Sequence, residues 1–179
     1  TTSSVPLWHH KLLLEWVAKQ CNASDDEQGG PTTYDDCIDA HPDIWAEAQL
    51  GERCGKLLAQ TFVGTVPYQE LLFPGGSLEM VKPVYETAKM GSFYNGCVVG
   101  AIATILTQLP SNQFVSCCEI GAGTGSTASS VVPLLSDRCS RYLFTDVSDV
   151  FLQKAKIRFA EYPFMVFSLL NIDAEPRFQ

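Results

Sequence analysis

Apolar residues in the first hundred positions recur every three or four places, the spacing of helices that each bury one stripe. Trp8, Leu12 and Trp16, with Leu13 and Val17 beside them, form the first stripe, and Ser4 and Pro6 supply its start signals. The stretch CNASDDEQGGPTTYDD then breaks the pattern; polar, acidic and punctuated by Gly and Pro, it predicts an exposed loop. Helical spacing returns between about Ile44 and Phe62 in Leu50, Cys54, Leu57, Leu58 and Phe62, and Gly64 and Pro67 close that helix. LLFPGGS predicts a turn, followed by a helix with Ser77 as its N-cap and Leu78, Val81, Tyr85 and Ala88 along one side. From Phe93 to Leu109 the chain is apolar on most faces, which predicts a helix buried among others with Phe93 in the core.

Past residue 112 the rhythm shortens. FVSCCEI, RYLFTDVS and FMVFSLL predict three buried strands. Between them lie SSVVPLL, a helix that Pro133 kinks or ends early, and a second helix carrying Val150, Phe151, Ala155 and Phe159. Strand and helix alternating with short turns is the βαβαβ unit of a parallel sheet. The expected organisation is α/β: a helical subdomain over residues 1–110, then half of a Rossmann-like fold over residues 111–179. A parallel sheet needs both faces covered. The expectation is therefore that the leading helices cover it or that the natural protein continues.

Composition narrows the partners. At 46% apolar residues the chain has ample material for a core, and its net charge of −8 opposes binding to a nucleic-acid backbone or an anionic membrane, both of which demand a basic face. A small anionic group held by backbone N–H groups remains compatible. The seven cysteines (21, 37, 54, 97, 117, 118, 139) form no CxxC pair, so they read as reduced thiols used for packing, with no metal site. TTSSVPLWHHKLLLEW lacks the positive leader of a signal peptide. No run approaches the ~18–20 apolar residues of a membrane span. These features predict a soluble, cytoplasmic protein.

The chemistry concentrates in EIGAGTGST, residues 119–127. In an open α/β sheet, ligands bind beyond the carboxyl ends of the strands, where the first turn meets the first helix. Gly121 permits the turn, Gly123 lets a ligand approach the backbone, and Gly125 allows close helix–strand packing or helix entry. The helix start offers unpaired N–H groups and a partial positive charge to a carboxylate or phosphate. Asp146 ends the second strand 21 positions after Gly125, where ribose-binding folds place an acid that accepts from the ribose hydroxyls. A dinucleotide site wants G-x-G-x-x-G/A, but Ser126 holds the last place, which disfavours a nicotinamide-dependent reductase. Glu119 would repel phosphates yet suits a ligand bearing an ammonium group. S-adenosylmethionine, with its adenosine, carboxylate and ammonium, meets these demands.

EIGAGTGST together with YLFTDVSDVFLQKAKIRFAEYPF resembles the cofactor half of the carbon-methyltransferase domains embedded in polyketide synthases. ELLFPGGSLEMVKPVYETA and FYN resemble the helical lid segment that precedes it, and the resemblance covers about residues 45–179. It implies a Rossmann-like methyltransferase fold using S-adenosylmethionine. Lid and cofactor fold would enclose a β-ketoacyl thioester, delivered on the phosphopantetheine arm of an acyl carrier protein among neighbouring synthase domains. On this resemblance Glu119, Gly121, Gly123 and Gly125 form the cofactor loop and Asp146 is the ribose-binding acid. The family carries an Asp-x-acid pair near the adenine after the third strand; here Asn171 and Asp173 stand there, and Asn171 keeps an acceptor oxygen for the adenine amino group.

Methylating the α-carbon of such a thioester requires an enolate and hence a general base. The resemblance implies a histidine, supported by a glutamate, from the part beyond the third strand, so the catalytic base is expected downstream of residue 179. His9, His10 and His41 read as exposed helix or loop residues. Tyr94 and Asn95 match the lid's aromatic–Asn phrase and are candidates for the substrate side, with helix packing the other reading of Tyr94. A non-catalytic remnant kept as a structural domain of a multidomain synthase is the alternative.

Overall fold

The computed structural model describes residues 33–174, together with Leu12 and Glu15. The stripe on Trp8 and Trp16 and the imidazoles of His9 and His10 lie outside the described residues. The chain divides into two units, Thr1–Val81 and Lys82–Gln179. The boundary expected near residue 110 falls inside the second of these.

In the first unit, helix α1 (Tyr34–Ala40) begins where a loop was expected to continue through Asp36. The reason is a reciprocal cap. Asp36 N–H donates to the Thr33 hydroxyl at 3.1 Å, while the Asp36 carboxylate accepts from Thr33 N–H at 2.9 Å and from its hydroxyl at 2.8 Å. After a 3-10 turn at Pro42–Ile44 comes α2 (Trp45–Phe62), the long helix that the spacing predicts. Gly64, at φ 79°, closes it by donating its N–H to the Thr61 carbonyl at 3.1 Å. The short α3 (Tyr68–Leu72) follows Pro67. Arg53 on α2 donates to its last carbonyls, Leu71 at 3.1 Å and Glu70 at 2.9 Å, where a cation complements the helix dipole.

The helix expected from Ser77 to Ala88 does not form as one piece. Only α4 (Lys82–Glu86) is helical, because Pro83 lacks an N–H and fits no later than a first turn. Ser77 instead accepts a turn bond from Glu79 N–H at 3.3 Å.

Helix α5 (Lys89–Gln108) opens the packing of the second unit. It is mostly exposed, contrary to the sequence expectation: Phe93 is 65% exposed, and Val98 and Ile105 also face solvent. Only the side bearing Asn95, Val99, Ile102 and Leu106 meets neighbours, since a single helix of the sheet layer lies against it. By length and composition α5 is apolar enough to cross a membrane. This corrects the reading that no segment approaches such a span; Gly, Ser, Thr and Asn interrupt its apolar runs, but Lys89 is its one charge.

The sheet has the order β1-β2-β3, all parallel: β1 (Val115–Ile120), β2 (Cys139–Asp146) and β3 (Met165–Leu169). Helices α6 (Ser126–Leu135) and α7 (Asp149–Arg158) are the crossovers. Pro133 sits in the last turn of α6 and does not cut it short. Register partners share a face and alternate along each strand. Cys117, Tyr142 and Met165 align on one face with Glu119, Phe144 and Phe167, and this face meets α6 and α7. Phe144 is fully buried there, with Phe167 and Phe159 centroids 5.6 and 6.1 Å away. On α7 the buried positions are Leu152 and Ala155, with Phe159 just past its end; Val150 is exposed. The opposite face carries Cys118, Leu143 and Val166, then Ile120, Thr145 and Ser168. Of these only Thr145 is buried. The strands expected to be buried are therefore covered on one side, because both crossovers return over the same face.

Candidate functional site

The parallel strands place Ile120, Asp146 and Leu169 at one end of the sheet. There the loop Gly121–Gly125 joins β1 to α6, with φ of 69°, 54° and 75° at its three glycines. Backbone bonds fold it tightly: Ala122 N–H donates to the Thr145 carbonyl at 2.9 Å, and Gly125 N–H to Ala122 at 2.9 Å. A Cβ at Gly121 would enter open space, and one at Gly123 would meet nothing nearer than the Gly121 carbonyl at 3.9 Å. A Cβ at Gly125 would instead press on Phe159 at 3.1 Å and Phe144 at 3.4 Å. Two glycines thus keep the outer surface of the loop clear, and the third seats it on the core.

Asp146 closes the loop from below. Its carboxylate accepts from Gly123 N–H at 2.8 Å through one oxygen and from Ser148 N–H at 2.8 Å through the other, and the residue is 5% exposed. Each oxygen keeps a further lone pair for a donor arriving from outside. No side chain caps the start of α6, so the first-turn amides and the positive end of the helix dipole lie beside the loop. Such an arrangement accepts an anionic group at the helix end and a pair of hydroxyls at the carboxylate.

Glu119 is half-buried at the end of β1 and accepts from the Tyr142 hydroxyl at 2.9 Å. Burial pushes its carboxyl above the ordinary 4.5, with the Tyr142 bond pulling the other way. Burial also raises the Tyr142 hydroxyl, with the Glu119 charge adding to it. Farther from the loop, toward the amino ends of the strands, Cys117 lies beside Cys139, and burial pushes its thiol up to about 11, which keeps it protonated.

Behind the loop lies a polar cluster built from α4, α5 and α6. Asn95, 8% exposed, donates through Nδ2 to the Ser126 hydroxyl at 2.9 Å and to the Tyr85 carbonyl at 3.2 Å. Its Oδ1 accepts from the Thr127 hydroxyl at 3.1 Å. Ser126 donates in turn to the Tyr85 carbonyl at 2.6 Å. From α7, Arg158 donates to the Thr124 carbonyl at 3.2 Å and pairs with Glu86 through both terminal nitrogens, at 2.5 and 3.1 Å.

Glu119, Gly121, Gly123, Gly125 and Asp146 thus come together at one sheet end. Asn171 and Asp173 follow β3 at that same end, both exposed, with Asp173 N–H donating to Asn171 Oδ1 at 3.0 Å. Tyr94 and Asn95 part company: Tyr94 is 61% exposed, with its ring edge-on to Phe93, while Asn95 turns inward to the loop. Sequence reasoning missed Tyr142, Glu86 and Arg158, which no spacing marks out. Ser126 was visible as the break in the glycine pattern, and its buried hydroxyl is what that break provides. Among the described residues no cluster of three His, Cys, Asp or Glu side chains has metal-binding geometry.

No protein-family model matches the chain. Its sequence relatives include polyketide synthase PksM of Bacillus subtilis (strain 168), 26% identical over 169 residues, spanning 90% of this chain and 4% of that protein. Polyketide synthase ThaG of Burkholderia thailandensis is 35% identical over 126 residues, 68% of this chain and 2% of that one. Among solved structures, the CurJ carbon methyltransferase superposes with a TM-score of 0.75 at 30% identity, over 80% of this chain and 38% of its own. The CMeT domain of the citrinin polyketide synthase shares the fold, with a TM-score of 0.79 at 24% identity, over 96% of this chain and 50% of its own. The trans-methyltransferase CalH, solved with SAH, gives 0.54 at 26% identity, over 75% of this chain and 36% of its own. The chain therefore spans a few per cent of its sequence relatives and up to half of the matched structures.

Proposed function

We propose, from a chain that resembles the carbon-methyltransferase domains of polyketide synthases in sequence and fold, that it forms the lid and cofactor-binding half of an S-adenosylmethionine-dependent carbon methyltransferase. Its substrate is the α-carbon of a β-ketoacyl thioester carried by the phosphopantetheine arm of an acyl carrier protein, among neighbouring synthase domains. The observation that carries the reading is the loop closed by Asp146: a clear glycine surface, an uncapped helix end and a fixed carboxylate side by side.

The residues present fit the methyl donor. The first-turn amides of α6 would take its carboxylate and Asp146 the ribose hydroxyls, while Glu119 faces the ammonium and Asn171 and Asp173 serve the adenine. S-adenosylmethionine supplies, when bound, a methyl group on a positively charged sulfur. This chain's contribution is to bind and orient it, since aligning the partners is what in-line displacement requires of a protein. Generating the nucleophile falls to a base elsewhere: the three histidines are at positions 9, 10 and 41, and residues 82–179 contain none.

The second reading, a methyltransferase-shaped domain without activity, draws on Asn171 standing where the resembled family has an acid, its side-chain oxygen already accepting from Asp173 N–H. Calorimetric titration of S-adenosylhomocysteine into the full-length protein separates the two. Binding is expected, weakened about tenfold or more by Asp146→Asn, which replaces one acceptor oxygen with a donor. Absence of binding by the wild type would favour the inactive domain, and methyl transfer by the 179-residue chain alone would place the base within it.

A further inference from the structure

We infer that Asn95 and Arg158 are positioning residues for the glycine loop, holding it on either side of Gly125 to two consecutive residues of α4. This deepens the methyl-donor reading above and rests on it. Asn95 joins the first two residues of α6, Ser126 and Thr127, to the Tyr85 carbonyl. Arg158 joins the Thr124 carbonyl, one residue before Gly125, to the Glu86 carboxylate.

Asn95 is the one buried residue of a helix that is otherwise apolar or exposed, and Ser126 is buried to the same extent, 8%. A polar group in such a place is costly unless bonded, and an apolar side chain would pack there without that burden. Here both amide hydrogens and the amide oxygen are engaged, and each partner's donor and acceptor roles agree. Bonds of this kind fix direction more than they add stability. The direction they fix is that of the first turn of α6, whose amides are to meet the ligand's carboxylate.

Close approach makes the anchor reachable. Gly91, near the start of α5, lies so near the end of α4 that a Cβ there would overlap the Tyr85 carbonyl, the atom that receives both Asn95 and Ser126. On the other side, the Arg158 fork grips Glu86 with two bonds and still reaches the loop. Its side chain is partly exposed, at 29%, so replacing it does not open the core.

Because the clamp acts on the helix end, it should matter for the aminoacyl tail of the ligand and little for the nucleoside. The full-length protein is titrated with S-adenosylhomocysteine and with 5′-methylthioadenosine, which lacks that tail, in wild type, Asn95→Leu and Arg158→Lys. Both variants are expected to lose about tenfold in affinity for S-adenosylhomocysteine and about twofold or less for methylthioadenosine. Equal losses for both compounds, or no loss for either, would overturn the positioning role. A wild type that binds neither compound would overturn the methyl-donor reading and this inference with it. If Asn95→Leu does not fold, Arg158→Lys alone decides by the same criterion.

Discussion

Gly125 carries two demands at once. Its φ of 75° lies in the left-handed region, and a Cβ there would press on Phe159 at 3.1 Å. Gly125→Ala is therefore expected to cost about 1–3 kcal/mol, read as a lower urea midpoint at unchanged slope. An unmoved midpoint would mean that the loop relaxes freely. Glu119 gives a prediction in pH. Its carboxyl is raised above 4.5 in the folded chain, so between that value and the raised one the folded state holds more protons than the unfolded state. Stability from this group then falls as pH rises through the window. Glu119→Gln, which keeps an acceptor for Tyr142, removes the slope; its stability relative to wild type should climb from pH 4.5 upward and level off above the folded value. Parallel stability curves would show that Glu119 is not strained by burial. The glycines and Asp146 were legible because a tight turn and a strand end each leave a local residue signature. Arg158 and Tyr142 were not, since their partners lie 72 and 23 residues away.

At the scale of elements, the apolar spacing marked out α2 and α5 but not what each helix faces, and the stripe from Ser77 to Ala88 did not form one helix. Periodicity reports that a stripe is apolar; it does not report whether a neighbour lies against it. On α5 the apolar content suggested burial all round, whereas only the side with Asn95 and Val99 is covered. Phe93→Ser is accordingly expected to change stability by no more than about 0.5 kcal/mol, against a loss of about 3–5 kcal/mol for Phe144→Ala in the sheet core. Denaturant melts of the two variants decide it, and a large loss at Phe93 would restore the core reading. The βαβαβ order was legible from the alternation of short apolar runs with amphipathic ones. The split of the expected Ser77–Ala88 helix turned on Pro83, a local signal that the apolar stripe outweighed.

At the largest scale, the crossover helices of the second unit clothe one face of the sheet, while Cys118, Ile120 and Val166 on the other face are exposed. Purely parallel sheets are ordinarily covered on both faces. With the outer side of α5 also apolar, the 179-residue chain on its own is expected to enhance the fluorescence of a hydrophobic dye such as ANS well above the level of a typical folded domain. No enhancement would mean that something in solution shields these surfaces. The Tyr85 carbonyl has a bearing at this scale too. It is a main-chain oxygen, so every residue type at position 85 presents it, and the phenol ring there is half out in the solvent. A side-chain scan of α4 would pass over it without effect. Chemistry on the peptide link itself, such as an amide-to-ester exchange that weakens the oxygen as an acceptor, would test this one anchor directly.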